Sequence, residues 1–392
     1  MKNYFPVFYI TVTFFIAISC KNAPSPVNEN GLIEITKQKI TDISSEEDVF
    51  PQIDSCTFIA LQTDKNCLIG SVSSIQCYDD KLFIEDIDGK SILVFDLQGN
   101  FLNRVGTKGN GPSEYYVITT FYINEDEKSV VILDGYKRKS IHYDLEGNFI
   151  ESIPIDNLPL RSFEAIIGVR YIGNGKIMCH YGFSSQSNLG ATISNEDFSD
   201  LTILYENNIT YGDPEIGGLY HRPGGHPISK YKNEVFYIKS FCDTIYSYSS
   251  EKNKIDTPYL ISAFKSVPDG FKREGQDAEK LFRELLSKGF VTIGGVFRTD
   301  KYLFINAPGK CILWDINEQM GYSNGRWGCI NEKLGFYNLK MTEYDNKFIG
   351  ASAVYVIKGY SDEDIKDSPK FKAFRDKLTE EDNGAIIIYH MR

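Results

Sequence analysis

Two stretches of this chain align without a gap at an offset of 48 residues. LFIEDIDGKSILVFDLQGNFL runs from Leu82 to Leu102, and VVILDGYKRKSIHYDLEGNFI runs from Val130 to Ile150. Phe95-Asp96-Leu97 falls on Tyr143-Asp144-Leu145, Gly99-Asn100-Phe101 on Gly147-Asn148-Phe149, and Asp86 on Asp134. A shorter copy, LFINAPGKCILWDIN, spans Leu303 to Asn317, and VFYIKSFCDTIYSYSSEKNKI, from Val235 to Ile255, keeps the apolar alternation and the turn positions. Each copy reads strand, turn, strand, turn, strand. Apolar and polar residues alternate along the strands, so each sheet has a face to bury. DLQGN and DLEGN are hairpin turns, because Gly and Asn tolerate positive φ and Asp bonds nearby amides. A repeat of about this length belongs to four-stranded propeller blades. One such sheet cannot cover both of its faces, whereas neighbours stacked around an axis can.

The reading is an all-β, six-bladed β-propeller of four-stranded antiparallel blades with two short helical insertions. Blades are placed at 71–117, 118–166, 167–210, 228–265, 291–335 and 336–392. The insertions are DAEKLFRELLSKGF (Asp277 to Phe290), apolar at Leu281, Phe282, Leu285 and Leu286, and SPKFKAFRDKLTEED (Ser368 to Asp382). The final AIIIYHMR is a strand expected to share a blade with TFIALQT (Thr57 to Thr63) and so close the ring.

VGTKGNGPSEYY, from Val105 to Tyr116, packs Gly106, Gly109 and Gly111 around Lys108. A Walker loop needs Gly-Lys-Ser/Thr after its glycines, and a dinucleotide fingerprint must open a helix. Here YYVITTFYI follows Pro112, which is strand composition. Without a helix N-terminus there is no aligned dipole to hold phosphate. The stretch is instead a junction from the outermost strand of one blade to the innermost of the next. Gly109 and Gly111 are expected in conformations that a β-carbon penalises, and no nucleotide partner is implied.

The N-terminus, MKNYFPVFYITVTFFIAISC, carries Lys2, an apolar run from Val7 to Ile18, and Ser19-Cys20. The run is short for a membrane span of about 20 residues and fits a signal peptide over 1–19. A small residue directly before cysteine resembles a bacterial lipobox, with Ala17 where leucine is usual. Lipidation of Cys20 is expected, with 20–49 as a lipidated N-terminus and flexible tether and 50–392 as the propeller. No acid directly follows Cys20, which points to a periplasm-facing outer-membrane lipoprotein. The net charge of −11 disfavours nucleic acid. Seven cysteines follow Cys20 with no C-x-x-C, so a structural zinc site is not indicated and buried thiols are expected; a Cys56–Cys67 disulfide stays open.

The KGNGPSEY junction resembles that of NHL-repeat propellers. With the lipobox, TFIALQTDKNCLIGSVSSI (Thr57 to Ile75) and LFIEDIDGKSILVFDLQGNFL, the chain resembles the six-bladed β-propeller lipoproteins of Bacteroides-type bacteria over about residues 50 to 392. The resemblance implies fold and cell-envelope location, and no catalytic residue.

The residues that could touch a ligand are few. Asp86 and Asp134 are equivalent acids after second strands; they could hold calcium at a channel mouth, but turn capping is the plainer role. YHRPGGHP places His221 and His226 beside Arg222, too few for zinc. GRWGCI offers Arg326 and Trp327 for stacking on a sugar. No G-x-S-x-G elbow occurs, and no motif implies a cofactor. The expected function is non-catalytic binding or scaffolding of a saccharide, peptide or protein. The alternative is a metal-dependent propeller hydrolase or lyase, whose ligands would be scattered over several blades.

Overall fold

The computed structural model describes residues 32–43, 49–157, 166–182, 189–206, 228–239, 242–266, 278–290, 293–307, 310–324, 329–330, 332–335 and 340–392. The chain enters through β1 (Ile33–Glu34), β2 (Ile40–Asp42) and β3 (Ile53–Ala60). Blade one is β4 (Val72–Tyr78), β5 (Lys81–Asp86), β6 (Ser91–Asp96) and β7 (Phe101–Val105). Blade two is β8 (Thr120–Asn124), β9 (Ser129–Asp134), β10 (Lys139–Asp144) and β11 (Phe149–Pro154). Blade three is β12 (Ile166–Gly173), β13 (Lys176–Tyr181), β14 (Leu189–Asn195) and β15 (Thr202–Glu206). Blade four is β16 (Ile228–Tyr231), β17 (Glu234–Ile238), β18 (Thr244–Ser249) and β19 (Lys254–Leu260). After α1 (Ala278–Ser287), blade five is β20 (Gly295–Arg298), β21 (Tyr302–Ala307), β22 (Lys310–Asp315) and β23 (Met320–Asn324). A small hairpin, β24 (Cys329–Ile330) and β25 (Lys333–Leu334), precedes blade six, which holds β26 (Lys340–Tyr344), β27 (Lys347–Ser352) and, after α2 (Val354–Lys358) and α3 (Pro369–Lys377), β28 (Ala385–Met391). All six blades are antiparallel, and they fall where the repeat places them.

The period-two pattern decides which neighbour each side chain meets. On β5, Leu82 and Ile84 pack with Ile349 and Ile386 of blade six, while Phe83 packs with Phe121 and Ile132 of blade two. On β9, Val130 and Ile132 turn to blade one, and Val131 and Leu133 turn to Tyr171 and Ile177 of blade three. Every residue of β9 is therefore buried. The core is not one body but a set of apolar wedges, one in each seam between blades.

The ring closes as the sequence implies: β28 pairs with β27 on one side and β3 on the other, Ile387 opposite Phe58 and Tyr389 opposite Cys56. The turns of the repeat also join blades. Gly147 (φ +85°) lies where an added Cβ would meet the Arg104 carbonyl oxygen of blade one at 2.2 Å. Gly99 (φ +86°) stands in the same way at 2.3 Å from Ala60 O of β3. Asp96 and Asp144 fix these turns, each carboxylate accepting from the backbone N–H and side-chain amide of the asparagine four residues on.

Three expectations change. The tether does not extend to residue 49: β1 pairs parallel with β19 and β2 pairs parallel with β23, so residues 33–42 strap the outer edges of blades four and five. The reason lies in GLIEITKQKI, whose Ile35 is fully buried in the seam between those blades. Helices number three among the described residues rather than two. The third, VYVIK, which the sequence analysis did not single out, makes one helical turn whose Val356 and Ile357 are buried. In the junction loop the left-handed residue is Gly106 (φ +59°), not Gly109 or Gly111. The six cysteines whose side chains are described, Cys56 and Cys67 among them, are free thiols. No helix among the described residues is long and apolar enough to cross a membrane.

Candidate functional site

Strand direction alternates within a blade, so its connections sort to two ends of the axis. The hairpins from first to second strand lie at one end, the hairpin face. The second-to-third connections and the junctions between blades lie at the other, the loop face.

The hairpin face is laced shut. Tyr171 Oη donates to Asp126 Oδ2 at 2.6 Å, and the Asn174 N–H to the same oxygen at 3.1 Å, joining blades three and two. Tyr231 Oη donates to Asp300, Lys232 Nζ reaches that carboxylate at 2.5 Å, and the Asp300 N–H donates to Asn346 Oδ1 at 2.6 Å. The Asp80 N–H donates to Tyr344 Oη at 3.0 Å across the closing seam. The lysine and the tyrosine beside it hold the exposed Asp300 carboxyl below its usual range. These contacts bind blade to blade and leave this end a structural collar.

Near the axis, charges from blades that are not neighbours face one another. Lys230 of blade four donates from Nζ to Glu125 Oε1 at 2.7 Å, although Glu125 follows the inner strand of blade two. Lys230 thus reaches past blade three, with its ammonium 6.0 Å from the Tyr171 ring centre. Glu343 of blade six faces Arg170 of blade three, the blade opposite. Burial pushes the Glu343 carboxyl up to about 8, against the pull of Arg170 and of the Lys230 backbone N–H that donates to it. Burial likewise lowers the Arg170 guanidinium, while Glu343 and Glu125 hold it up. Arg170 donates one bond to the Val169 carbonyl at 2.8 Å.

At the loop face, Asp86 and Asp134 end β5 and β9, and both are buried. Asp86 accepts from Gly70 N and Ser71 N on Oδ1, at 3.1 and 3.0 Å, and from Gly89 N on Oδ2 at 2.9 Å. Asp134 accepts from Tyr116 N at 2.6 Å on Oδ2, and from Tyr136 N at 3.1 Å and Lys137 N at 3.0 Å on Oδ1. Each is a cap that ties a junction to a hairpin loop, and three amides occupy its oxygens. Among the described residues no three metal-ligating side chains gather. In the glycine-rich junction the Glu114 carboxylate accepts from Gly111 N at 2.7 Å, so an internal anion already sits where a phosphate would. His221, Arg222 and His226 fall between β15 and β16, and Arg326 and Trp327 between β23 and β24; these five and Cys20 lie outside the described residues.

The axial set escaped the sequence reading because Glu125, Arg170, Lys230 and Glu343 are spread over four blades with no shared spacing. The collar did leave a signal: Tyr78-Asp79-Asp80-Lys81 and Tyr344-Asp345-Asn346-Lys347 are the same hairpin in two blades.

These features define a six-bladed propeller with a stapled end, a charge-filled axis and a looped face. The chain belongs to the family described as a domain of unknown function, DUF4934, whose model matches residues 34–390. It is similar in structure to a Bacteroides fragilis protein inferred to be exported, at TM-score 0.66 and 16% identity over 92% of this chain and 99% of that one. A second similar structure is a DUF4221 member of Bacteroides vulgatus, at TM-score 0.51 and 8% identity over 88% and 99% of the two chains. Identities this low carry the fold alone. No curated protein matches the chain.

Proposed function

We propose that this chain is a lipid-anchored propeller of the cell envelope that binds a saccharide, peptide or protein partner without catalysis. The observation that supports this reading is the axis. Propeller enzymes assemble reactive groups there from several blades; here Lys230 is paired with Glu125, and Arg170 faces a Glu343 carboxyl that burial holds toward its neutral form. The connections between blades leave from and return to the opposite end from the stapled hairpins, the end where a partner would dock. Anchoring is the part carried by Ser19-Cys20 and the apolar run before it, and the exported Bacteroides neighbour is consistent with it.

The test has two arms. The purified protein is screened on glycan and peptide arrays, with metal content measured on the same sample. Saturable binding without turnover supports the reading; stoichiometric calcium or zinc with turnover of a bound ester, lactone or glycoside overturns it in favour of a metal-dependent hydrolase or lyase. For the anchor, Cys20→Ala is expected to move the protein from the membrane to the soluble fraction, and retention in the membrane overturns the lipobox.

A further inference from the structure

We propose that the loop face between blades one and two carries a subsite for the ring of an acidic sugar, formed by Tyr116, Tyr136, Lys137 and Lys139. This deepens the binding reading above and depends on it. Tyr136 is 71% exposed and Tyr116 41%, unusual for large aromatic residues, and their ring centres lie 4.5 Å apart at 32°. They are not loosely held. One fully buried carboxylate, Asp134, accepts from the backbone N–H of both, so the main chain that carries both rings is fixed before any ligand arrives. A tyrosine presents an apolar ring with a polar tip, which suits the apolar C–H face and hydroxyl rim of a pyranose.

The charge class comes from the lysines. Lys137 Nζ donates to Gly109 O at 3.0 Å and Lys139 Nζ to Pro112 O at 2.9 Å. Both acceptors are neutral carbonyls. Among the described residues neither ammonium has a carboxylate within ion-pair distance, and each has three donors to place. Burial, and then the charge of Lys137, lower the Lys139 pKa, so a partly buried ammonium lies near a second cation. Asp134 and Glu114 are close but already engaged by backbone amides. A carboxylate on the stacked ring would supply the missing partner. A neutral sugar would leave these donors unmet, and a simple acid would not use the rings.

The experiment is calorimetric titration of the purified protein with a galacturonate tetramer and with its neutral galactose counterpart. The galacturonate oligomer is expected to bind at least about tenfold more tightly than the neutral one, with the preference collapsing in about 0.5 M salt because a surface charge contact is screened. Tyr136→Ala should weaken binding by about tenfold or more at unchanged melting temperature, while Tyr136→Phe keeps it. Lys137→Gln with Lys139→Gln should abolish the preference for acid; the salt series reads the same contribution if that variant does not fold. Absence of galacturonate binding, equal binding of both oligomers, or indifference to Tyr136→Ala each overturns the subsite. The last result leaves the broader reading intact, since the ligand then sits elsewhere; a protein that binds nothing on the arrays fails that reading first.

Discussion

Gly147→Ala separates two reasons why the repeat keeps a glycine in its turn. Gly147 has φ +85°, and an alanine there incurs a backbone penalty of about 1–2 kcal/mol. Its added methyl would also stand 2.2 Å from Arg104 O and 3.0 Å from Asn103 Nδ2, both in blade one. Relief requires the two blades to part by most of an ångström, which breaks the bond from Gly106 N to Gly147 O, worth about 1 kcal/mol. The total is about 2–3 kcal/mol. Gly173 is the control, since its φ is +91° with nothing within 4 Å of an added Cβ. Gly173→Ala therefore incurs only the backbone penalty, and the lost entropy of the unfolded chain is common to both variants and cancels. Urea unfolding, followed by tyrosine fluorescence, should place the Gly147→Ala midpoint below that of Gly173→Ala. With an m-value of about 3 kcal/mol/M, a difference of about 1 kcal/mol is about 0.3 M. Gly99→Ala, clashing with Ala60 O at 2.3 Å, should fall beside Gly147→Ala. Coincident midpoints for Gly147→Ala and Gly173→Ala would refute the idea that these turns clamp one blade to the next.

The Glu343 carboxyl is pushed from an ordinary 4.5 to about 8 in the fold, so folding takes up a proton between those values and its contribution to stability falls as pH rises through that window. Glu343→Gln, which mimics the protonated acid, should match the natural protein near pH 5 and exceed it in melting temperature at pH 9; a difference that does not grow with pH would show that the carboxylate, not the acid, belongs to the folded axis. Removing residues 385–392 takes out β28, which is hydrogen-bonded on both sides, and should cause a large loss of thermal stability with aggregation from the two exposed edges; an unchanged melting temperature would mean that the termini do not close the ring. Lys108 is exposed in the junction loop, so Lys108→Ala should leave stability unchanged and added ATP should not raise the melting temperature; a Lys108-dependent rise would reinstate phosphate binding.

Fold was legible where the same physics acts in every repeat. A turn pressed on the next blade must be glycine, and the strands buried on both faces carry apolar residues at consecutive positions where alternation with polar ones was expected. Both constraints recur at the 48-residue offset, so Leu82–Leu102 and Val130–Ile150 announce them twice. The errors came where a segment acts once. Ile33, Ile35 and Ile40 are too few to stand out from a polar stretch, and only the outer edges of blades four and five show what they pair with. VYVIK makes a single helical turn, too short for a helical period to show in its sequence.

The site obeys the opposite rule. Glu125, Arg170, Lys230 and Glu343 act on one another because a ring brings blades two, three, four and six to one axis, and nothing in their local sequence records it. Asp134 is an intermediate case. Its equivalence to Asp86 was visible as a repeat, and both cap turns through three amides. What differs is what those amides belong to: Gly70, Ser71 and Gly89 in blade one, but Tyr116, Tyr136 and Lys137 in blade two. A structural device kept by the repeat thus carries different side chains in each blade, and the blade whose cap holds aromatics and a cation is the one where the repeat has room to acquire a ligand. The same comparison predicts that Asp134→Asn weakens ligand binding and stability together, whereas Asp86→Asn lowers stability alone. Equal effects of the two on binding would show that the aromatic pair needs no support from the cap.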